Sequence, residues 1–374
     1  MLADVAIVGG GPAGLAAAIG AARQGLSVIV LEQRTWPQDK ACGEGLMPAG
    51  LRAPARLGVR DLIDPADCAP LVGVRYVQED GTFAEARFAG DGGLGVRRPA
   101  LSQALFQRAE SLGVILRPQA TVRGHALTAG GITLTLDDGP IAARLVVAAD
   151  GLASPLRHAA GLAGPVSGPR RFGLRQHFRC AAWSPCVEVH FSDGIEAYVT
   201  PAGRQRVGVA FLWEDGRITK PLSIQTLLDR FPVIRERLAD ALPDSEPRGA
   251  GPLLQGVRSR TADRLVLLGD AGGYVDAITG EGLSLAFHCA EVLAAPLPEA
   301  LAQGATRQAL RPYERAYGRA FRRYALLSGG LLALSRRPAL RRQVIHLLAR
   351  QPRLFGAVLA WVIQEPARRQ EIGA

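Results

Sequence analysis

The chain has 374 residues, of which 48% are hydrophobic and 21% are charged, the composition of an ordinary globular protein with one large domain or two closely joined ones. Its formal net charge of +10 comes almost wholly from arginine, because lysine occurs only at Lys40 and Lys220. There is no basic tract interleaved with aromatic residues and no zinc-finger spacing, so the composition excludes the common nucleic-acid-binding motifs and predicts no nucleic-acid partner.

The cysteines and the N-terminus indicate the compartment. The five cysteines are scattered and never form a C-x-x-C pair, so we predict neither a disulfide framework nor a metal site. Residues 1–8 run directly into an apolar strand pattern and lack the basic region of a signal peptide. The longest apolar runs are shorter than the roughly 20 residues that span a bilayer. We expect a cytoplasmic location, with peripheral membrane contact as an alternative.

The first half of the chain opens with a βαβ pattern. An apolar strand at residues 4–8, an alanine-rich helix at 12–24 and a buried strand at 27–32 form one unit. A glycine-containing loop is predicted at 34–50, and a helix at 101–111.

The second half alternates between two kinds of sheet. Residues 114–147 predict a small meander of strands, and 145–149 predict a third buried strand. A separate antiparallel sheet follows. Residues 265–268 then predict another buried strand, and a helix is predicted at 283–294. Short arginine-rich helices are expected from residue 307 onward. The strands of the separate sheet are predicted at 172–179, 187–191, 197–200 and 206–213.

This order predicts an α/β fold in which a discontinuous nucleotide-binding domain is interrupted by an antiparallel sheet. We place the first part of the nucleotide-binding domain at 1–168, where strands at 70–98 could instead join the inserted sheet. The inserted sheet then occupies 169–255, the second part of the nucleotide-binding domain 256–300, and a helical C-terminal region 301–374.

A dinucleotide fingerprint follows the first strand. Gly9 allows a sharp turn, Gly11 lets a pyrophosphate approach the backbone, and Gly14 lets the helix pack close to the strand. The helix N-terminus then presents free N–H groups to phosphates. Glu32, at the end of the next strand, can accept hydrogen bonds from a ribose diol. This fingerprint alone does not distinguish NAD from FAD.

Two later segments make that choice. The first is Asp150-Gly151-x-x-Ser154-x-x-Arg157 after a buried strand; the second is Gly269-Asp270, followed by Gly280-Glu281-Gly282. With these motifs the chain resembles the glutathione-reductase-type flavoproteins, in the branch that contains aromatic hydroxylases, flavin halogenases and geranylgeranyl reductases. The motifs extend from residue 7 to about residue 290 in the family's order.

The resemblance implies a Rossmann-like FAD-binding domain, an inserted antiparallel β-sheet substrate domain and a helical tail. It implies that Asp270 binds the ribityl chain, that Arg98 faces the phosphates, and that the helix near Gly282 points at the flavin. Because no second glycine fingerprint occurs, NAD(P)H is expected as a transient reductant. The predicted FAD-binding residues are Gly9, Gly11, Pro12, Ala13, Gly14, Glu32, Gln33, Lys40, Cys42, Gly43, Arg98, Val122, Asp150, Gly151, Gly269, Asp270, Gly280, Gly282 and Leu283.

The reaction type stays open at this stage. The loop Lys40-Ala41-Cys42-Gly43-Glu44-Gly45-Leu46 resembles that of geranylgeranyl reductases. Residues 196–201, however, keep only the proline of the aromatic strand motif of those reductases, and the halogenase signature is absent. We therefore favour an NAD(P)H-dependent monooxygenase of secondary metabolism that hydroxylates a lipophilic aromatic or polyketide-like substrate. The alternatives are a geranylgeranyl-reductase-like enzyme that reduces C=C bonds and a non-catalytic flavin-binding protein.

The catalytic candidates are Cys42 in that loop, and His177 and Tyr198 on predicted strands of the inserted sheet. His177 shares one strand face with Arg175, because side chains alternate along a strand. The arginine-rich C-terminal helices are predicted either to pack with a solvated basic face or to lie on a membrane. The sequence predicts no oligomeric state.

Overall fold

The structure, a computed structural model, describes residues 2–218 and 222–363. Within that part of the chain no helix is both long and apolar enough to cross a membrane. The strands in chain order are β1 (Leu2–Val8), β2 (Val28–Leu31), β3 (Gly45–Leu46), β4 (Cys68–Leu71), β5 (Gly73–Val77), β6 (Phe83–Arg87), β7 (Gly93–Val96), β8 (Ile115–Arg117), β9 (Val122–Leu127), β10 (Ile132–Leu136), β11 (Ile141–Ala148), β12 (Arg171–Arg179), β13 (Cys186–Ser192), β14 (Ile195–Pro201), β15 (Val207–Glu214), β16 (Leu242–Pro243), β17 (Arg248–Ala250), β18 (Thr261–Ala262) and β19 (Leu265–Leu267).

Most helices begin with a proline in the first turn, where the missing N–H costs nothing. The helices are α1 (Pro12–Ala22), α2 (Pro48–Leu57), α3 (Arg98–Ser111), α4 (Pro155–Ala159), α5 (Ile224–Leu228), α6 (Pro232–Arg237), α7 (Gly282–Ala294), α8 (Leu297–Ala302), α9 (Arg311–Ser335), α10 (Pro338–Arg350) and α11 (Pro352–Ile363), with 3₁₀ turns at Arg60–Leu62, Pro65–Asp67 and Gly269–Gly272.

The first sheet has the order β18-β19-β11-β1-β2-β8, and its central strands are parallel. These strands are apolar throughout because both faces are covered. Val5 and Ile7 pack against α1, α3 and α7, whereas Ala6 and Val8 pack against the meander of β9 and β10. The result is a three-layer nucleotide-binding domain, which confirms the predicted α/β fold class.

The second sheet has the order β16-β12-β15-β14-β13-β5-β6, with β17 also paired to β12. Its neighbours are antiparallel except for β5 and β13, which are parallel. Strands β5 and β6 therefore belong to the inserted sheet, although they lie in the first part of the sequence. Strands β3, β7 and β4 form a small third sheet beside it.

The C-terminal helices cover one face of the second sheet near its β6 edge. The Phe355 ring of α11 stacks on Tyr76 of β5, with ring centroids 5.6 Å apart. Leu332 of α9 and Ile345 of α10 are buried in the same apolar cluster. The opposite face of the sheet is covered by α5 and α6.

Four details of the predicted elements were wrong. The loop at 34–50 contains β3 and the start of α2, and the predicted helix at 101–111 begins earlier, at Arg98. The meander and the third buried strand share one strand, β11, which pairs with β10 on one side and β1 on the other. The tail begins with a 25-residue helix, α9, instead of several short ones. Residues 364–374 of the predicted helical region lie outside the described residues.

Candidate functional site

A cavity lies between the carboxyl ends of the parallel strands and the inserted sheet. Together with its mouth it encloses about 1370 Å³ of empty space. Its floor is the turn between β1 and α1, its sides are the loop at 40–47 and the turn at 269–283, and its roof is formed by β12, β14 and β15. In open α/β sheets, ligands bind at this edge.

The floor is a backbone surface created by three glycines. Gly9 has φ +106°, and a Cβ there would lie 2.2 Å from the carbonyl oxygen of Ala149. A Cβ on Gly14 would lie 1.9 Å from the Gly9 oxygen, so both positions exclude any larger residue. Gly11 differs, because a Cβ on it would meet no protein atom within 4 Å and would extend into the cavity. The space beside Gly11 is therefore available to a ligand, and α1 begins at that point with free N–H groups.

The glycine turn is held from both sides. The Gly10 N–H donates to Glu32 at 2.7 Å, and the Trp36 indole N–H donates to the Gly10 carbonyl at 2.9 Å. The other Glu32 oxygen accepts from the Arg34 N–H at 3.0 Å. Glu32 is 2% exposed, and one of its structural roles is thus to fix the turn. Its predicted contact with a ribose stays a prediction.

Charged side chains of both signs surround the deep end of the cavity. Lys40, Arg98 and Asp270 all line it. Burial lowers the pKa of Lys40, and the positive charges of Arg98 and Arg34 lower it further, against the carboxylates of Glu32 and Asp270. Burial raises the pKa of Asp270, and the cations Arg98, Lys40 and Arg157 oppose that rise. Among the described residues, no hydrogen bond to the Asp270 carboxylate occurs, so its oxygens remain available to a ligand.

The turn that carries Asp270 is fixed by residues from distant segments. The Tyr313 hydroxyl donates to the Leu267 carbonyl at 2.6 Å, and the Tyr317 hydroxyl donates to the Gly269 carbonyl at 2.8 Å. Arg157 is 1% exposed and donates to the Ala271 carbonyl at 3.2 Å. Helix α9 therefore positions the turn as well as covering it.

The Asp150 motif has a structural role that the sequence did not predict. The Asp150 carboxylate accepts from the Ser154 hydroxyl at 2.5 Å and from the Leu156 N–H at 3.1 Å, which caps the start of α4. Gly151 does line the cavity, with φ +86°.

The cysteine loop is clamped by a buried glutamate. Glu44 is 2% exposed and has φ +59°. One carboxylate oxygen accepts from the Arg98 N–H at 2.9 Å, and the other lies 2.6 Å from His177 Nε2. The Glu44 N–H in turn donates to Cys42 Sγ at 3.3 Å. This glutamate thus ties the loop that presents Cys42 to both α3 and the inserted sheet.

The roof of the cavity is apolar with a few hydroxyl groups. Leu174, Val187 and Leu212 line it together with the hydroxyl-bearing Tyr198 and Thr200. The Tyr198 hydroxyl donates to the Ile278 carbonyl at 3.3 Å. Burial, together with the negative charge of Glu196, raises the pKa of Tyr198 well above its ordinary value, so this phenol stays protonated.

The structure separates the three catalytic candidates. Cys42 and Tyr198 line the cavity, but His177 is fully buried behind the wall, between Glu44 and Ser245. Burial lowers the pKa of the His177 imidazole, and Glu44 opposes this. His177 therefore lies outside the cavity lining, where it cannot touch a substrate directly, and its predicted catalytic role stays a prediction.

The predicted cofactor residues divide into two sets. Those in the cavity wall are Gly11, Pro12, Ala13, Lys40, Cys42, Gly43, Arg98, Gly151, Gly269, Asp270, Gly280, Gly282 and Leu283. Those outside the wall are Gly9, Gly14, Glu32, Gln33, Val122 and Asp150. Gly9, Gly14 and Glu32 act from behind by shaping the turn, whereas Gln33 is exposed and Val122 packs against the meander.

Three residues of the site were missed. Trp36 holds the glycine turn, Glu44 holds the cysteine loop, and Tyr274 lines the cavity with its pKa raised well above the ordinary value by burial. Glu44 stood inside the Lys40–Leu46 loop, and Tyr274 two residues beyond the Gly269-Asp270-Ala271-Gly272 turn, whereas Trp36 had no such signal.

The residues present fit FAD. The open space at Gly11, the adjoining start of α1 and the cations Lys40 and Arg98 suit a pyrophosphate. The free carboxylate of Asp270 suits the hydroxyl groups of a ribityl chain, and the apolar roof leaves room for a substrate above a flat ring system.

Comparisons with known proteins agree with this geometry. The FAD binding domain family matches residues 2–206. Digeranylgeranylglycerophospholipid reductase 2 of Methanopyrus kandleri is 28% identical over 347 residues, which cover 86% of this chain and 85% of that protein. Menaquinone reductase of Mycobacterium tuberculosis is 29% identical over 301 residues, which cover 75% of this chain and 73% of that protein.

Solved structures show the same fold. A geranylgeranyl bacteriochlorophyll reductase-like protein from Thermoplasma acidophilum superposes with a TM-score of 0.81 at 21% identity, covering 94% of this chain and 92% of that chain. The halogenase PltM in complex with FAD superposes with a TM-score of 0.79 at 19% identity, covering 96% of this chain and 86% of that chain. More than half of the chain matches the family and the site fits the cofactor. This protein belongs to the FAD binding domain family and is an FAD-dependent oxidoreductase.

Proposed function

We propose that this enzyme reduces a carbon–carbon double bond in a lipophilic, prenyl-type substrate. The observation that carries the proposal is that the apolar roof and the Cys42 loop line the same cavity. A hydrocarbon chain bound under the roof would therefore lie beside a thiol. The reductases that the chain resembles over most of its length, named for digeranylgeranylglycerophospholipid and for menaquinone, act on molecules of this class.

The roof would bind the substrate and exclude water. Leu174, Val187 and Leu212 offer apolar surface, and each Å² of such surface removed from water stabilises a complex by about 25 cal/mol. Tyr198 and Tyr274 keep their protons, because burial raises the pKa of each well above its ordinary value. They therefore introduce no charge beside a hydrocarbon.

The bound FAD, in its reduced form, supplies hydride transfer to carbon. The other carbon of the double bond needs a proton. Cys42 Sγ lies in the cavity wall beside the loop that Glu44 clamps, and we assign it to hold and deliver that proton. Water at the mouth of the cavity then returns a proton to Sγ.

NAD(P)H is proposed as the source of electrons for FAD. Gly151 lines the cavity, and a Cβ on it would meet no protein atom within 4 Å, which leaves open backbone for a second, transient nucleotide. Rapid-mixing reduction of the flavin by NADH and by NADPH measures this directly.

Hydroxylation is the second candidate, on a specific observation. Along β14 the inward positions are Glu196, Tyr198 and Thr200, where the geranylgeranyl-reductase strand motif has aromatic residues. Glu196 is buried in an ion pair with Arg171 at 2.6 Å and does not line the cavity, whereas Thr200 lines it and is smaller than an aromatic residue. The roof therefore has more room at Thr200 than an aromatic side chain would leave, which also suits an aromatic substrate.

Oxygen distinguishes the two reactions. The flavin is reduced without oxygen, a prenyl lipid or a polyprenyl quinone is added, and flavin reoxidation is followed together with the product mass. Reoxidation coupled to the gain of two hydrogens per double bond supports reduction. Turnover that requires oxygen and incorporates one labelled oxygen atom into the product would instead establish the hydroxylase. Cys42→Ser should slow the anaerobic step without loss of bound flavin.

A further inference from the structure

The positive charge of the molecule is concentrated in its C-terminal helices. Residues 311–363 contain eleven arginines and a single acidic residue, Glu314, which leaves 33 basic and 33 acidic residues in the rest of the chain. Glu314 points inward, where it accepts hydrogen bonds from the Arg260 N–H at 2.7 Å and from Thr261 at 3.1 Å. The body of the protein is thus neutral, and its helical end carries the net charge.

Helix α9 separates its two faces cleanly. Its buried side chains recur at helical spacing and face the site, among them Tyr313, Tyr317 and Tyr324. Its exposed positions recur at the same spacing on the other side. Those outward positions are Arg315, Arg319, Arg322, Leu326, Gly329, Gly330 and Ala333.

Helices α9, α10 and α11 also expose large apolar side chains. Leu326 is 78% exposed, and Leu347 of α10 is 52% exposed. Leu354 and Val358, at i and i+4 on α11, are 45% and 44% exposed. Their neighbours on the inner faces, such as Ile345 and Phe355, are 3% exposed. Leucines left in water beside arginines form a surface that mixes apolar area with positive charge.

We propose that the outer face of α9, α10 and α11 docks on an anionic lipid membrane. Arginine binds lipid phosphates through bidentate hydrogen bonds, and leucines insert among the acyl chains. Nucleic acid would neutralise the arginines but leave the leucines in water. A second copy of the chain would bring two strongly basic faces together, which charge repulsion opposes. The proposal does not depend on the reaction that the enzyme catalyses.

The test uses the full-length, flavin-loaded protein in vesicle flotation. Vesicles of phosphatidylcholine alone are compared with vesicles that also contain phosphatidylglycerol, at low and at high salt. We expect flotation with the anionic vesicles at low salt, and its loss at high salt because salt screens the attraction. Equal binding to both kinds of vesicle, or no binding to either, overturns the proposal.

Matched variants locate the surface. Arg315→Gln, Arg319→Gln and Arg322→Gln together should weaken binding roughly 100-fold, since each arginine near an anionic surface contributes about fivefold. Arg204→Gln, Arg230→Gln and Arg258→Gln remove the same charge from exposed positions on the body and should change binding by less than about tenfold. Equal effects of the two triple variants would mean that net charge, and not this face, drives binding.

A second pair of variants tests insertion. Leu326→Asp should weaken binding on the order of tenfold, whereas Leu127→Asp, at a site 59% exposed on β9, should not. Both positions face solvent, so flavin content and circular dichroism should match the wild type. Formation of dimers through the helices in gel filtration, with no lipid binding, would assign the surface to a second copy and reject the membrane.

Discussion

The floor and the roof of the cavity are built in different ways. The floor consists of backbone: glycines at the β1–α1 turn, the start of α1 and the turn at Gly269 present N–H groups and open space. The roof and the wall consist of side chains, with leucines and tyrosines facing inward beside a buried polar network of Glu44, Arg175 and His177, of which His177 lies behind the lining. The floor therefore specifies a common cofactor, whereas the roof can change its substrate by changing side chains.

The largest expected effect is at the floor. Gly11→Val should yield a folded but colourless protein, because its Cβ meets no protein atom within 4 Å and its side chain extends into ligand space. Absorbance of the purified protein and its thermal unfolding measure the two properties. Gly124→Val, also free of protein contacts at its Cβ position, is the control that should stay yellow. A Gly11→Val protein with stoichiometric flavin would show that the floor has been misassigned.

The wall should respond in the opposite way, by losing stability. Glu44→Ala leaves His177 and the Arg98 N–H without their acceptor, and losing a buried hydrogen bond to a charged group costs about 1.5–3 kcal/mol. Urea unfolding should detect this loss. Glu44→Gln keeps an acceptor for one of the two partners and should cost less. If both variants unfold like the wild type, the ionic network does not support the cysteine loop.

The next prediction concerns the free carboxylate of Asp270, on the floor side of the cavity. Asp270→Ala should weaken FAD binding roughly 10- to 100-fold, the worth of one or two charge-assisted hydrogen bonds. Titration of the apoprotein with FAD, followed by flavin fluorescence, gives the affinity. Asp276→Asn is an informative comparison, because Asp276 is buried in an ion pair with Arg171 and does not line the cavity. An unchanged affinity for Asp270→Ala would remove it from the site.

The smallest effect is expected at Glu281, between the cavity-lining residues Gly280 and Gly282. Burial raises its pKa to about 7 from an ordinary 4.5. Because the unfolded chain releases the Glu281 proton at a lower pH than the folded protein does, the free energy of unfolding falls as pH rises from about 4.5 to about 7. Glu281→Gln should therefore be about 1–2 kcal/mol more stable than the wild type at pH 8 and equal to it at pH 4. Unfolding free energies at the two pH values give the answer, and a pH-independent difference would contradict the assignment.

The floor and the wall of the cavity also differed in how well the sequence predicted them. Gly9, Gly11 and Gly14 stand within six residues and are required by backbone geometry, so the local sequence reveals them. Glu44 and His177 stand 133 residues apart, and nothing in either neighbourhood predicts that they pair. Tertiary packing alone showed that His177 lies behind the wall and that Cys42 lies in it.

The fold shows the same division. Buried parallel strands and the helix after the glycine turn have strong apolar patterns and were confirmed to within two residues. The membership of β5 and β6 in the inserted sheet depends on pairing with β13, which lies more than one hundred residues later. Proline is common in the first turn of a helix, so Pro48 could have indicated the start of α2, but the surrounding glycines favoured the prediction of a loop.

The position of β19 sets the order in which the protein can acquire its flavin during synthesis. Strand β19 completes the parallel sheet next to β11, and the carboxylate of Asp270 follows three residues later. A ribosome needs roughly 15 to 50 s to reach that point. Until then the nascent chain has the glycine turn but only one side of the cavity. The tyrosines of α9 that fix the Asp270 turn emerge later still, so tight flavin capture must wait until most of the chain has been made.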